Sequence, residues 1–152
     1  MNSLPSSKFV YVTFIRATPE RLWSALTTPE FTKQYWFGMH CESEWKAGSS
    51  WRLIFQDGRV ADAGEILEAE RPKRLVIKWR NEFRPELKAE GYSRCTIDLE
   101  PIGDAVKLTI THEMENPGAK FIEAVSGGWP RILSNLKSLL ETGEVALKDK
   151  VP

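Results

Sequence analysis

Residues 117–143 read PGAKFIEAVSGGWPRILSNLKSLLETG, and this stretch decides the fold. Phe121, Val125, Trp129, Ile132, Leu133, Leu136, Leu139 and Leu140 recur at spacings of three and four. Lys120, Glu123, Arg131, Asn135, Lys137 and Glu141 fall between them, as in an amphipathic helix with one apolar face. Asn116-Pro117-Gly118 offers a starting turn and Gly143 a stop. Pro130 cannot donate to the Ser126 carbonyl, and a proline inside a helix costs about 3 kcal/mol unless the chain kinks. Gly127 and Gly128 alongside it permit a kink and the close approach of another surface. The expectation is one bent helix, or two short ones that abut, with Trp129 at the joint.

Upstream, the chain reads as a sheet built to receive that face. Phe9 to Arg16 is dense in β-branched and aromatic residues, hence a strand. Thr18-Pro19-Glu20 has helix-start chemistry and leads to Leu22, Trp23, Ala25 and Leu26; Thr28-Pro29-Glu30 repeats it before Phe31, Tyr35 and Trp36. From Cys41 the period changes to two. Strands are expected over Glu42 to Lys46, around Trp51, Leu53 and Phe55, over Val60 to Glu70, and around Leu75, Ile77 and Trp79. Asn81 to Glu90 reads as a charged loop, and Tyr92 to Glu100 and Ala105 to Met114 as two more strands. The order is strand, two helices, six strands, long helix. That is an α+β class in which an antiparallel meander curves around the last helix.

Composition narrows the function. A chain of 152 residues suits one domain, expected over residues 8–143 with flexible termini at 1–7 and 144–152. The 21 basic and 21 acidic residues cancel, and no long Lys/Arg cluster exists, which argues against a nucleic-acid partner. No apolar run approaches a membrane span, so no membrane insertion is expected. Cys41 and Cys95 have no paired-motif spacing and no secretory signal precedes them, so reduced thiols in a cytoplasmic protein are expected. His40 and His112 with those cysteines make no metal-site spacing, and no phosphate loop or nucleophile elbow is present; no metal or cofactor is expected. Six Trp, seven Phe and three Tyr are the one oddity, suited to a heavy core or an aromatic-lined pocket.

Register arithmetic places the chemistry-bearing residues. A turn centred on Ile102-Gly103 pairs Leu99 with Val106, Ile97 with Leu108 and Cys95 with Ile110, and sets His112 opposite Ser93 on the inward face. An Asp57-Gly58 hairpin pairs Phe55 with Val60, Leu53 with Asp62 and Trp51 with Gly64, leaving room beside Gly64 for an indole or a ligand. Asp62, Cys95 and His112 would then converge in an apolar cavity walled by Trp36, Trp51, Phe55, Trp79, Tyr92, Phe121, Val125 and Trp129. The plain alternatives are a satisfied histidine, a small buried thiol, and an aspartate at a strand end open to water. One helix cannot fill a broad concave sheet, so loops or a ligand must occupy the rest.

Several of these stretches together resemble the START-like (SRPBCC) superfamily, in the group named for the activator of heat-shock protein 90 ATPase. They are Thr18-Pro19-Glu20-Arg21-Leu22-Trp23, Ala25 to Glu30 with Trp36, Gly48 with Trp51, and Gly64-Glu65-Ile66-Leu67-Glu68. Pro72 to Val76 with Trp79, Leu108 with His112, and Gly128 to Leu136 continue the match in order over nearly the whole chain. The resemblance implies a helix-grip fold, with about seven strands gripping the C-terminal helix around a cavity. Its members include lipid and hormone binders, polyketide cyclases and a chaperone-activating domain, a setting of stress response. The leading expectation is binding of a small, mostly apolar or aromatic ligand between sheet and helix. The alternatives are a cyclase or hydrolase using His112 as its acid-base group, and a chaperone-associated interaction module; a homodimer is compatible with each.

Overall fold

The computed structural model describes residues 6–148. Strand β1 (Ser7–Ile15) leads into helices α1 (Pro19–Thr27) and α2 (Pro29–Tyr35). Strands β2 (His40–Ser43), β3 (Ser50–Ile54), β4 (Val60–Glu70) and β5 (Arg74–Asn81) follow, then a single helical turn, α3 (Pro85–Lys88). Strands β6 (Ser93–Ile102) and β7 (Ala105–Met114) and the long helix α4 (Lys120–Thr142) complete the order. The strands form one curved antiparallel sheet in the order β1-β7-β6-β5-β4-β3-β2, with β1 and β2 at its edges. The inward residues of β5 to β7 alternate as expected: Leu75, Ile77, Trp79, Cys95, Ile97, Leu99, Val106, Leu108 and Ile110 are all buried. They form one core with Phe121, Trp129, Leu133, Leu136 and Leu140 of α4.

Local signals set most of the boundaries. Thr18 accepts the backbone N–H of Arg21 through its hydroxyl at 3.1 Å, and Pro19 opens α1. Thr28 makes no such side-chain bond, so α2 starts on Pro29 and packing alone. Gly143 ends α4 at φ 88°, donating its N–H to the Leu139 carbonyl at 2.9 Å.

Elsewhere tertiary contacts override the local reading. Helix α4 begins at Lys120 and runs as a single element through Pro130 to Thr142, not as two abutting helices. Its N-terminus has no side-chain cap of its own. The Glu90 carboxylate instead reaches across to accept the N–H groups of Lys120 and Phe121 at 2.9 and 2.8 Å. A carboxylate there satisfies orphan donors and opposes the helix dipole. Strand β2 ends before Trp45, whose φ of 58° leaves the extended region. The β6–β7 turn lies over Gly103-Asp104, pairing Ile102 with Ala105, Ile97 with Ile110 and Cys95 with His112. The register is thus displaced by two residues from the expectation, and an even shift leaves every side chain on the face assigned to it.

In the β3–β4 hairpin Leu53 pairs with Asp62 and Trp51 with Gly64 as expected, but a bulge pairs Ile54, not Phe55, with Val60. The bulge lies on the turn side of Asp62, so Asp62 keeps its inward parity. Gly64 does not leave room for an indole: a Cβ there would strike the Lys78 carbonyl oxygen, because the backbone of β5 occupies that space. The outermost segments are also engaged. Ser7 pairs with Met114, and Leu147 exchanges hydrogen bonds with the Asn135 side chain at 2.6 and 2.9 Å. The rest of the expected flexible termini, residues 1–5 and 149–152, lies outside the described residues.

Candidate ligand cavity between sheet and helix

A cavity of about 300 Å³ opens between α4, the inner face of β3 to β5, and the β5–β6 connection. Trp36, Trp79 and Trp129 form its inner end, with ring centroids 5.4 Å (Trp36–Trp129), 5.8 Å (Trp79–Trp129) and 6.2 Å (Trp36–Trp79) apart. Phe55 and Phe83 meet edge to face at 4.9 Å across the other side, and Phe121, Val125 and Ile132 supply the helix wall. The helix approaches here as Gly127 and Gly128, where an added Cβ would meet nothing within 4 Å.

The polar lining comes from four residues, Asp62, Asn81, Arg84 and Arg131. Asp62 is buried, contrary to the open strand end weighed for it, and Oδ2 accepts Trp79 Nε1 at 2.8 Å and Asn81 Nδ2 at 3.5 Å. Asn81 Oδ1 in turn accepts the backbone N–H of Arg84 at 2.9 Å. Asn81 therefore fixes both the carboxylate and the turn by which the chain passes over the cavity.

His112 is not on the cavity wall. It is fully buried behind Trp79, Phe121 and Trp129, whose rings lie 5.0, 5.2 and 6.2 Å from its own and which do line the cavity. Its tautomer follows from its partners. Trp129 Nε1 can only donate, and it does so to His112 Nδ1 at 3.1 Å. The proton therefore sits on Nε2, which donates to Ser93 Oγ at 2.8 Å, and Ser93 donates to the Trp79 carbonyl at 3.0 Å. Both ring nitrogens are thus engaged. Burial holds the imidazole down at a pKa of about 3, so it is neutral at physiological pH and supplies no proton there. That is the satisfied-histidine arrangement, and it ties α4 to β7, β6 and β5.

Of the other residues expected to converge here, Trp36, Phe55, Asp62, Trp79, Phe121, Val125 and Trp129 line the cavity. Trp51 packs behind Trp79, its ring tilted by 46° at a centroid distance of 4.4 Å, and does not reach the cavity. Cys95 is buried beneath the sheet face, and burial pushes its thiol up, which keeps it protonated. Tyr92 is exposed, with Lys78 and Arg80 over its ring at 4.6 and 4.7 Å. Tyr92 alternates with the inward Ser93 and Cys95, so its side chain falls on the outer face of the sheet beside Lys78 and Arg80. Sequence reasoning missed Asn81, Phe83, Arg84, Leu87 and Arg131. The first four fall in or next to a segment read as loop. Arg131 carried a usable signal, lying on one helical stripe with Ala124, Gly127 and Gly128 at spacings of three, four and seven. Among the described residues no three His, Cys, Asp or Glu side chains are placed to share a metal ion. None of the described helices is long and apolar enough to cross a membrane.

A curved seven-stranded antiparallel sheet closed on a C-terminal helix, with two short helices after the first strand, is the helix-grip class of fold. Residues 16–141 match the family model described as Activator of Hsp90 ATPase homolog 1-like protein, and the chain belongs to that family within the START-like (SRPBCC) superfamily. Similar solved structures include a protein from Mesorhizobium loti, at 23% identity and TM-score 0.77, covering 91% of this chain and 100% of that one. The Aha1 dimer from Colwellia psychrerythraea is 19% identical with TM-score 0.72, covering 90% and 98%. An Hsp90 activator from Plasmodium falciparum is 24% identical with TM-score 0.70, covering 88% and 95%. No curated protein matches the chain in sequence.

Proposed function

We propose that the protein is a binding module for one small, mostly apolar ligand held between β3–β5 and α4. The observation that carries this reading is the cavity itself: about 300 Å³ walled by six aromatic rings, with polar groups confined to four residues. Sites for small molecules begin at about that volume and have that balance of apolar wall and few polar groups. Membership of a family on the START-like fold supports the reading. Gly127 and Gly128 support it too, since glycine in a helix costs about 1 kcal/mol against alanine and here leaves the wall bare.

The test is a thermal-shift and native mass-spectrometry screen of lipid and aromatic compounds, repeated on Gly128→Leu. The leucine side chain enters open space, so the variant should melt at the same temperature or higher while losing at least tenfold in affinity for each hit. A hit whose affinity is unchanged in Gly128→Leu binds elsewhere and removes the reading.

A second reading, association through the outer face, rests on Val10, Val12 and Phe14 of β1, which are 51, 43 and 49% exposed on an edge strand. The dimeric Colwellia relative makes a second copy of this chain the occupant to test, ahead of a chaperone. Val12→Lys should then lower the mass seen by sedimentation and leave ligand binding intact; a wild-type monomer at all concentrations rejects it.

A further inference from the structure

The cavity ends on a wall with a second, small void beyond it. That void, of about 10 Å³, is lined by Leu26, Cys41, Trp45, Ile77, Ile97 and Leu133. Trp36, Trp79 and Trp129 line both spaces and so form the partition between them. The three rings are held differently. Trp79 donates from Nε1 to Asp62 at 2.8 Å with Trp51 packed behind it, and Trp129 donates from Nε1 to His112 at 3.1 Å. Shortening either would take a donor from a buried acceptor. Trp36 meets Trp129, Tyr35 and Trp79 ring to ring, at 5.4, 6.1 and 6.2 Å. Its position is set from the backbone. At the end of α2 the Trp36 N–H donates to the Thr32 carbonyl at 2.9 Å and the Gly38 N–H to the Lys33 carbonyl at 3.1 Å, with Phe37 left-handed between them at φ 53°. That closing turn fixes where the indole enters the core, and the ring stands buried across the inner end of the cavity.

From this arrangement we infer that Trp36 selects ligands by length: its indole is the stop against which the apolar end of the ligand rests. This rests on the cavity reading and adds the residue that sets the cavity's depth. Of the three rings it is the one held by ring packing, so depth can change there while the hydrogen bonds to Asp62 and His112 stay in place. A smaller side chain at this position would free the volume of the indole and join it to the void beyond. Up to the stop, each further methylene buried should tighten binding about fourfold; past it, added length finds no apolar space in the cavity.

The test uses the straight-chain primary alcohols from pentanol to dodecanol, with affinities measured by calorimetry on the wild-type chain and on Trp36→Phe, Trp36→Leu and Trp36→Ala. Melting curves identify the variants that unfold cooperatively; Trp36→Phe keeps a ring in place and carries the test if the smaller side chains do not fold. For the wild type the gain per methylene should stop at a definite length. Each folded variant should move that length outward, by about two carbons or more for Trp36→Leu. Leu133→Phe added to Trp36→Leu refills the space from the far side and should move it back. A core merely loosened would weaken every alcohol alike and leave the length unchanged. An unchanged length in every folded variant, or a wild-type affinity still rising at dodecanol, overturns the Trp36 inference and leaves the cavity reading standing. Failure of every alcohol to bind overturns both.

Discussion

Replacing Gly64 by alanine is expected to destabilise the protein by about 3 kcal/mol or more, although the same replacement at Gly127 should stabilise it by about 0.5–1 kcal/mol. The contrast is geometric. A Cβ at Gly64 collides with the Lys78 carbonyl oxygen and comes within 3.3 Å of the Trp79 Cα. Both contacts are with backbone, so no side chain can swing aside. Gly64 pairs with Trp51 on one side and Trp79 on the other, so relieving the collision means parting β4 from β5 in the middle of the sheet. A Cβ at Gly127 meets nothing, and there alanine only removes the entropy cost of glycine in a helix. Urea unfolding of the two variants checks the prediction. A neutral Gly64→Ala would mean the two strands do not approach as closely as described.

The second large effect is on acid stability. His112 is held neutral in the fold with a pKa of about 3, against 6.5 for an ordinary histidine. Between those values the unfolded chain binds a proton that the folded protein refuses, so protonation favours unfolding. The contribution is therefore fully present above about pH 6.5 and is lost progressively as pH falls toward 3. The whole span is worth on the order of 5 kcal/mol. The groups that face the ring are Trp79, Trp129, Phe121, Ser93 and Cys95; none carries a positive charge to share the cause, and desolvation alone produces the shift. Carboxylates held low by ion pairs, such as Glu82 beside Arg80 and Lys88, start from an ordinary value of 4.5 and give way only below it. The window from pH 6.5 to 4.5 thus separates the histidines from the carboxylates, and the His112 share is read from a variant that keeps the His40–Glu42 pair. His112→Gln should flatten the stability–pH curve there, since its amide can accept from Trp129 and donate to Ser93 without taking up a proton. An undiminished slope in that variant would assign the acid sensitivity elsewhere.

How much of this was legible varies with the physics of each residue. The apolar alternation of Leu75, Ile77 and Trp79, and of Ile97, Leu99, Leu108 and Ile110, reports which side chains leave water. That tendency belongs to each residue alone, so it survives an error in register. The turn over Gly103-Asp104 shows this: the pairing moved by two residues and no face changed. Arg84 and Phe83 show the opposite case. Nothing in their own neighbourhood marks them as cavity residues. They arrive there because Asn81 turns the chain over the sheet by accepting the Arg84 N–H while holding Asp62, a residue 19 positions earlier.

By itself, then, the sequence determined the order of the strands and main helices, the α+β class with its sheet curved around the last helix, and the buried faces, because short-range periodicity and capping follow from solvation and local sterics. The helix-grip class came from the family resemblance. It also put Asp62 and His112 on the inward side. Only the tertiary structure decided what those two do. Whether an inward polar group meets the cavity or a neighbour's hydrogen bond depends on partners distant in the chain. For His112 these are Trp129, 17 residues on, and Ser93, 19 residues back. They turn a candidate acid-base group into a buried brace between sheet and helix. The trans-cap from Glu90 and the close strand approach at Gly64 are of the same kind: each is a contact between backbone and a remote group, and no local pattern encodes it.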